Sequence, residues 1–303
     1  MDRVRTLVKY RDINKYKQYL GRGVHIAIFD TGIIWHPDLE RNIRGFHDFI
    51  GHRPKAYDAH GHGTHIAGII AGNGSLSNGK YAGIAPAAQI HMLKVLDHKG
   101  DGKVAHILEG MSWLRKNHEK HNIKIANISV GTYPSLGDKE NEWIIKGVES
   151  LWDAGIVVVT AAGNYGPREG TITVPGVSEK VITVGAVDDQ IYVNKRGEVK
   201  HNYSGRGPTL RNICKPDILA PGSYIKSCNN KIGKKQIHPY TVKSGTSMST
   251  PVVTGAVALL LEKYPELTNE EVKRSLCETA VDLKRPLNEQ GAGLLNIEAL
   301  LSL

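Results

Sequence analysis

Cysteine is scarce in this chain: Cys214, Cys228 and Cys277 are its only three in 303 residues. An odd, widely spaced set does not form a disulfide framework. Reduced thiols in a cytosol are the simplest reading, with a Cys214–Cys228 bridge left open. Long apolar runs are missing too, since none reaches the roughly 18 residues that a membrane span needs. The opening Met1-Asp2-Arg3-Val4-Arg5 has neither the apolar core nor the cleavage site of a secretory signal. The expected location is therefore cytoplasmic, unless a targeting segment lies upstream. Phenylalanine occurs three times, and no aromatic–basic motif of the RNA-binding kind is present. Acidic residues are outnumbered, 30 against 39 basic ones, for a formal net charge of +9. The bases are scattered rather than clustered, which argues against nucleic acid as a partner and leaves only a weak expectation of acidic substrates.

Repeats and low-complexity linkers are absent as well, so the length fits one large α/β domain or two small ones. Residues 1–22 read as a polar, basic lead-in with a short helix, anchored by Tyr10, Tyr16, Tyr19 and Leu20 and ended by Gly21 and Gly23. Apolar runs predict strands at Val24–Phe29, Ala88–Leu96, Ile123–Val130, Ile156–Thr160 and Val181–Val187. Helices are predicted from about His62, over Val104–Asn117 and Asp138–Asp153, and after a capping box at Thr268-Asn269-Glu270-Glu271. In the Asp138–Asp153 helix, Trp143, Ile144, Gly147, Val148, Leu151 and Trp152 should share the buried face. Strands alternating with helices imply an α/β fold, a single domain with a central, mostly parallel sheet covered on both faces.

Three stretches carry chemistry. Asp30 ends the first strand, where open α/β sheets gather ligand chemistry. His62 lies in His60-Gly61-His62-Gly63-Thr64-His65, which lacks the helical His spacing of a zinc site and instead offers a base at a helix start. Ser247 lies in Ser244-Gly245-Thr246-Ser247-Met248-Ser249-Thr250-Pro251, ahead of the small, apolar run Val252–Leu261. Pro251 suits a helix start, and unpaired N–H groups there favour negative charge developing on oxygen. Alone, Thr246 or Ser247 reads equally well as a helix cap. Together, Asp30, His62 and Ser247 give the Asp-His-Ser order of one known catalytic triad, and no Gly-x-Ser-x-Gly elbow surrounds the serine.

With those residues in view, the chain resembles the subtilisin-like serine proteases from about Gly23 to Ala299. The resemblance is carried by Ile28-Phe29-Asp30-Thr31-Gly32, His36-Pro37-Asp38-Leu39, His62-Gly63-Thr64-His65 and Gly83-Ile84-Ala85-Pro86. Ala162-Gly163-Asn164, Lys215-Pro216-Asp217 and Gly245-Thr246-Ser247-Met248-Ser249 complete it. Ser204-Gly205-Arg206-Gly207-Pro208 and the N-terminus look most like the intracellular bacterial branch. The resemblance implies a peptidase domain over 23–303 acting as a serine endopeptidase. Ser247 would be nucleophile, His62 base, Asp30 its orienting acid, and Asn164 an oxyanion donor beside the Ser247 N–H. A catalytically silent peptide-binding relative is the alternative. Extended peptide would pair along Gly100, Asp101 and Gly102 and along Ser129, Val130 and Gly131, with Ala161, Ala162 and Gly163 walling the primary pocket. Val174-Pro175 matches a position that tends to be cis. No cofactor is required. Asp38 matches a calcium ligand of secreted relatives, but Ser75-Leu76-Ser77-Asn78-Gly79-Lys80 departs from their pattern and contains a lysine, so calcium there is left open but not expected.

Overall fold

The computed structural model describes residues 1–10, 19–135, 137–190, 192–193, 199–232 and 238–303, so Tyr16 lies outside the described residues. After the short helix α1 (Asp2–Leu7), the chain runs through β1 (His25–Asp30), β2 (Ile43–Asp48), α2 (His62–Ala71), β3 (Gln89–Lys94), α3 (Val104–Asn117), β4 (Ile123–Ile128), α4 (Lys139–Trp152), β5 (Val157–Ala161) and β6 (Ile182–Ala186). Two-residue strands β7 (Tyr192–Val193) and β8 (Val199–Lys200) pair as a hairpin. Then follow β9 (Ile218–Ala220), the antiparallel pair β10 (Ile225–Cys228) and β11 (Tyr240–Lys243), α5 (Thr246–Lys263), α6 (Asn269–Glu278), α7 (Leu287–Gln290) and α8 (Ile297–Leu300).

Seven strands form one parallel sheet in the order β2-β3-β1-β4-β5-β6-β9. Both faces are covered, and that is why Ile26, Ala27, Ile28 and Phe29 are all fully buried with no alternation. α3 and α4 pack together on one face: a side chain at Gly147 of α4 would strike Met111 of α3, and one at Gly110 would press on Phe29. α2 and α5 lie on the other face. There the α5 residue Thr254 donates from Oγ1 to Asn127 Oδ1 of β4 at 2.8 Å.

The expected strands and helices are present within a residue or two, and Thr268 and Glu271 form the capping box. Edge strand β2 and the three-residue β9 gave no sequence signal, because β2 is interrupted by polar residues and the apolar run of β9, Ile218-Leu219-Ala220, is only three residues long. Two expectations are corrected. Trp143 is half exposed, whereas Ile144, Val148, Leu151 and Trp152 take the core face. The helix turns about 100° between Trp143 and Ile144, which carries the indole out of the apolar stripe. Pro251 is not at the start of α5 but its sixth residue, since that helix begins at Thr246. The extra turn forms because the first N–H is capped from outside the helix, as described below. The three cysteines are free thiols.

Residues 1–10 do not stand apart from the body. Met1, Val4, Val8 and Tyr10 are buried in the common core, and Ile297 N–H donates to the Val8 carbonyl at 2.9 Å.

Two buried histidines set an acid limit on this fold. His65 and His91 are each pushed down to about 3, first by burial. Lys243 and His62 add to it at His65, and His25, His121, His47 and Arg44 at His91. Both are neutral in the folded chain near pH 7, whereas an unfolded histidine takes up its proton near pH 6.5. Stability is therefore lost as pH falls from about 6.5 toward 3, at up to about 1.4 kcal/mol per pH unit for each ring. Urea midpoints measured across that range should fall steadily, and His91→Gln should flatten the slope. A flat wild-type profile would contradict this assignment.

Candidate active site

The end of β1 and the start of α2 are held against each other by backbone that tolerates no side chain. A Cβ on Gly63 would lie 2.2 Å from the Gly32 carbonyl and 3.1 Å from Asp30 Cβ. This contact brings the first residue of α2, His62, onto the last residue of β1. His62 Nδ1 lies 2.8 Å from Asp30 Oδ2 and 2.9 Å from Oδ1. Asp30 is fully buried, and its Oδ1 also accepts from Thr31 N–H at 2.7 Å. A carboxylate only accepts, so the proton of a neutral His62 ring is assigned to Nδ1, and Nε2 keeps its lone pair.

The sequence analysis missed the residues that hold this corner. Asp58 is buried and accepts from Thr31 Oγ1 at 2.9 Å, from Gly61 N–H at 2.7 Å and from Thr64 N–H at 2.9 Å. Thr31 Oγ1 in turn accepts from Gly63 N–H at 3.0 Å. Lys94 is buried below them, donating to the Thr31 and Leu96 carbonyls at 2.6 Å each. Burial draws its ammonium down, and Asp48, Asp58 and Asp30 hold it up. An acid three residues ahead of Gly61 is the one local hint, a side chain placed to bond the turn N–H groups that follow it.

Ser247 is the second residue of the 18-residue α5. Its hydroxyl donates to the Ser129 carbonyl at 2.9 Å rather than to His62. The Ser247 N–H has no acceptor among the described residues, as expected for the first turn of a helix. Neither Thr246 nor Ser247 is the helix cap, because Gly245 occupies that position. Instead Asn164 caps from across the cleft, its Oδ1 accepting from Thr246 N–H at 2.9 Å and from Thr246 Oγ1 at 3.1 Å. A backbone N–H can only donate, so the atom facing it must be Oδ1. Among the described residues the amide Nδ2 is left without an acceptor. Gly245, at φ +139°, lets that amide approach: a Cβ there would be 3.2 Å from Nδ2. Thr246 Oγ1 also accepts from Gly163 N–H at 3.1 Å, tying the end of β5 to the head of α5.

These groups open on one cleft of about 960 Å³. The expected substrate segments Gly100, Asp101, Gly102, Ser129, Val130 and Gly131 line it, as do Ala161 and Gly163. Ala162 does not: it is fully buried, and its carbonyl accepts from Thr173 N–H. Burial follows from its place one residue past β5, where the backbone is still hydrogen-bonded to Val184. Val174–Pro175 is cis and lines the cleft beside Thr173. Ile107, Met111 and Ile144 form apolar wall, while Asp101, Asp138 and Glu140 are exposed residues of the lining.

Metal-ligating side chains come together elsewhere. Among the described residues, His36, Asp38 and Cys228 bring ligand atoms within 4.8 Å of one another. The polar atoms of His36 and Asp38 are already engaged. His36 Nδ1 faces the Asp38 N–H and Nε2 the Pro239 carbonyl, at 3.1 and 2.8 Å. Asp38 accepts from Tyr240 Oη at 2.6 Å, Ser75 Oγ at 2.8 Å and Leu76 N–H at 3.0 Å. The third histidine of the His60–His65 stretch, His65, turns its Nε2 to the Ile225 carbonyl.

Residues 21–293 match the family described as Peptidase_S8, the subtilase family. Serine protease AprX of Bacillus subtilis (strain 168) is 44% identical over 291 residues, covering 92% of this chain and 66% of that protein. Subtilisin Savinase of Lederbergia lenta is 37% identical over 283 residues, covering 92% of this chain and 91% of its own length. Among solved structures, Sphericase superposes with a TM-score of 0.78 at 28% identity, covering 97% of this chain and 96% of that one. The chain belongs to the subtilase family, the subtilisin-like serine proteases.

Proposed function

We propose that the chain is a serine endopeptidase working through Asp30, His62 and Ser247. Ser247 Oγ attacks the scissile carbonyl while His62 Nε2 takes its proton, then passes that proton to the leaving amine. Water repeats the sequence on the acyl-enzyme and regenerates Ser247. Asp30 fixes the ring tautomer and stabilises the imidazolium without becoming protonated itself. The oxyanion is received by Asn164 Nδ2 and the Ser247 N–H. The observation that carries this reading is the Asp30–His62 pair at 2.8 Å, opening onto the cleft that also holds Ser247. In the reaction the Ser247 hydroxyl exchanges its bond to the Ser129 carbonyl for one to His62 Nε2, and catalytic hydrogen bonds of this kind often tighten only once substrate is bound. Every proton in the scheme moves between side chains of this chain, substrate and water.

Asn164→Ala tests the oxyanion assignment. Turnover should fall by about 10²–10³-fold with KM little changed, because the donor acts on charge present only in the transition state. Equal turnover in the variant would remove Asn164 from the mechanism.

Substrate preference follows the cleft rather than the whole chain. The net charge of +9 suggested acidic peptides, but the exposed acids of the cleft are Asp101, Asp138 and Glu140, beside apolar Ile107 and Met111. A long cationic side chain can lay its stem on such a wall and its head among the carboxylates. Peptides carrying Lys or Arg there should be cut up to about fivefold faster than neutral ones, the yield of about 1 kcal/mol from an exposed pair. Glu140→Lys should reduce that preference, and so should salt. Faster cleavage of Asp- or Glu-containing peptides would reverse the assignment.

A further inference from the structure

The loop between α2 and β3 already contains a cation, and it is a side chain. Arg5, on α1, is 6% exposed. Its guanidinium donates to the Ala82 carbonyl at 2.5 Å, to that of Gly83 at 3.2 Å and to that of Gly79 at 3.5 Å. Among the described residues, its one carboxylate neighbour in the ion-pair range is the exposed Asp2, at 3.9 Å. The charge is therefore balanced largely by backbone carbonyl dipoles, the donor set that otherwise suits a hard cation such as calcium.

The acidic end of the same loop is closed as well. Asp38 accepts hydrogen bonds from Ser75 Oγ, Leu76 N–H and Tyr240 Oη. A calcium ion there would have to displace hydroxyl and amide donors that cannot ligate through their protons. A calcium ion of the kind that Asp38 matches in the secreted relatives does not fit the residues present here.

We propose that the Arg5 guanidinium is the resident cation of the 73–83 loop, delivered by helix α1, and that it holds the loop without calcium. The assignment also gives the first ten residues a task. Met1, Val4 and Val8 seat the helix in the core, and Arg3 pairs with Asp188 at 2.7 Å. Arg5 is thereby aimed inward at the loop. Nothing in this proposal depends on the catalytic assignment, so it stands or falls separately.

The test measures Tm and amide hydrogen exchange for the full chain, Arg5→Ala and Arg5→Met, each in chelator and in millimolar calcium. The wild type should show the same Tm in both to within about 1 °C. Both variants should lose about 5–10 °C, the shift expected when buried charged hydrogen bonds are removed from a domain of this size. Exchange should accelerate over residues 73–83 and stay unchanged in α6. A wild-type Tm that drops in chelator would overturn the proposal. So would an Arg5→Met variant as stable as wild type, because the stem alone would then account for the contact. Should neither variant fold, the wild-type comparison in chelator and calcium still decides.

Discussion

Ser247→Ala should lower turnover by about 10⁶-fold, the size found when the corresponding serine of a subtilisin is removed. What remains, about 10³–10⁴-fold over water, would come from binding and the oxyanion donors. The fold should hardly notice the change. The Ser247 hydroxyl makes one hydrogen bond, to the Ser129 carbonyl, and alanine is favourable in a helix. Peptide affinity should persist, because the substrate segments along residues 100–102 and 129–131 and the apolar wall are unchanged. The decisive pairing is kcat from progress curves and Tm from the same preparation. A collapse of turnover at unchanged Tm assigns the nucleophile, whereas turnover within tenfold of wild type would mean that another residue attacks.

Asp30→Asn should cost about 10⁴-fold in kcat, and the hydrogen bonds around Asp30 explain why an isosteric change is so harmful. Thr31 N–H donates to Oδ1 at 2.7 Å, so the new amide keeps its oxygen on that side. Its NH₂ then takes the Oδ2 position, 2.8 Å from His62 Nδ1. Two donors cannot face each other. The ring must accept at Nδ1 and carry its proton on Nε2, where it can no longer take one from Ser247. Backbone geometry should be preserved, since Asp58, Thr31 and Lys94 hold this corner independently. Activity close to wild type at neutral pH would show that the orienting role lies elsewhere.

The parts of the chain that were legible in sequence share a physical trait: their signal is local. β1 and β5 are buried on both faces and so appear as apolar runs, Ile26-Ala27-Ile28-Phe29 and Val157-Val158-Val159, and the capping box at Thr268 needs only four consecutive residues. β2 is an edge strand carrying Arg44, His47 and Asp48, and its place in the sheet comes from pairing with β3, which no window of sequence contains. Trp143 was misplaced because an amphipathic stripe tolerates an aromatic at its margin. Asp30, His62, Asn164 and Ser247 were readable as motifs. The roles of the groups that aim them (Asp58, Thr31, Lys94 and Thr246) were not, because the bonds that tie the corner together, Thr31 to Asp58, Lys94 to Thr31 and Thr246 to Asn164, span residues far apart in sequence. Thr246 and Asn164, which hydrogen-bond directly, are 82 residues apart. The same limit applies to Arg5, whose partners are the carbonyls of Gly79, Ala82 and Gly83. Total charge is a weak guide for a related reason: a sum over the chain says nothing about which residues line the cleft.

The most direct test of the central claim is covalent labelling with a serine-directed fluorophosphonate, with the modified residue mapped by mass spectrometry in wild type and in His62→Ala. The account predicts one label per chain, on Ser247, and labelling slowed by orders of magnitude when the imidazole is removed. No label on the folded wild type, a label on another serine, or equal labelling without His62 would contradict it.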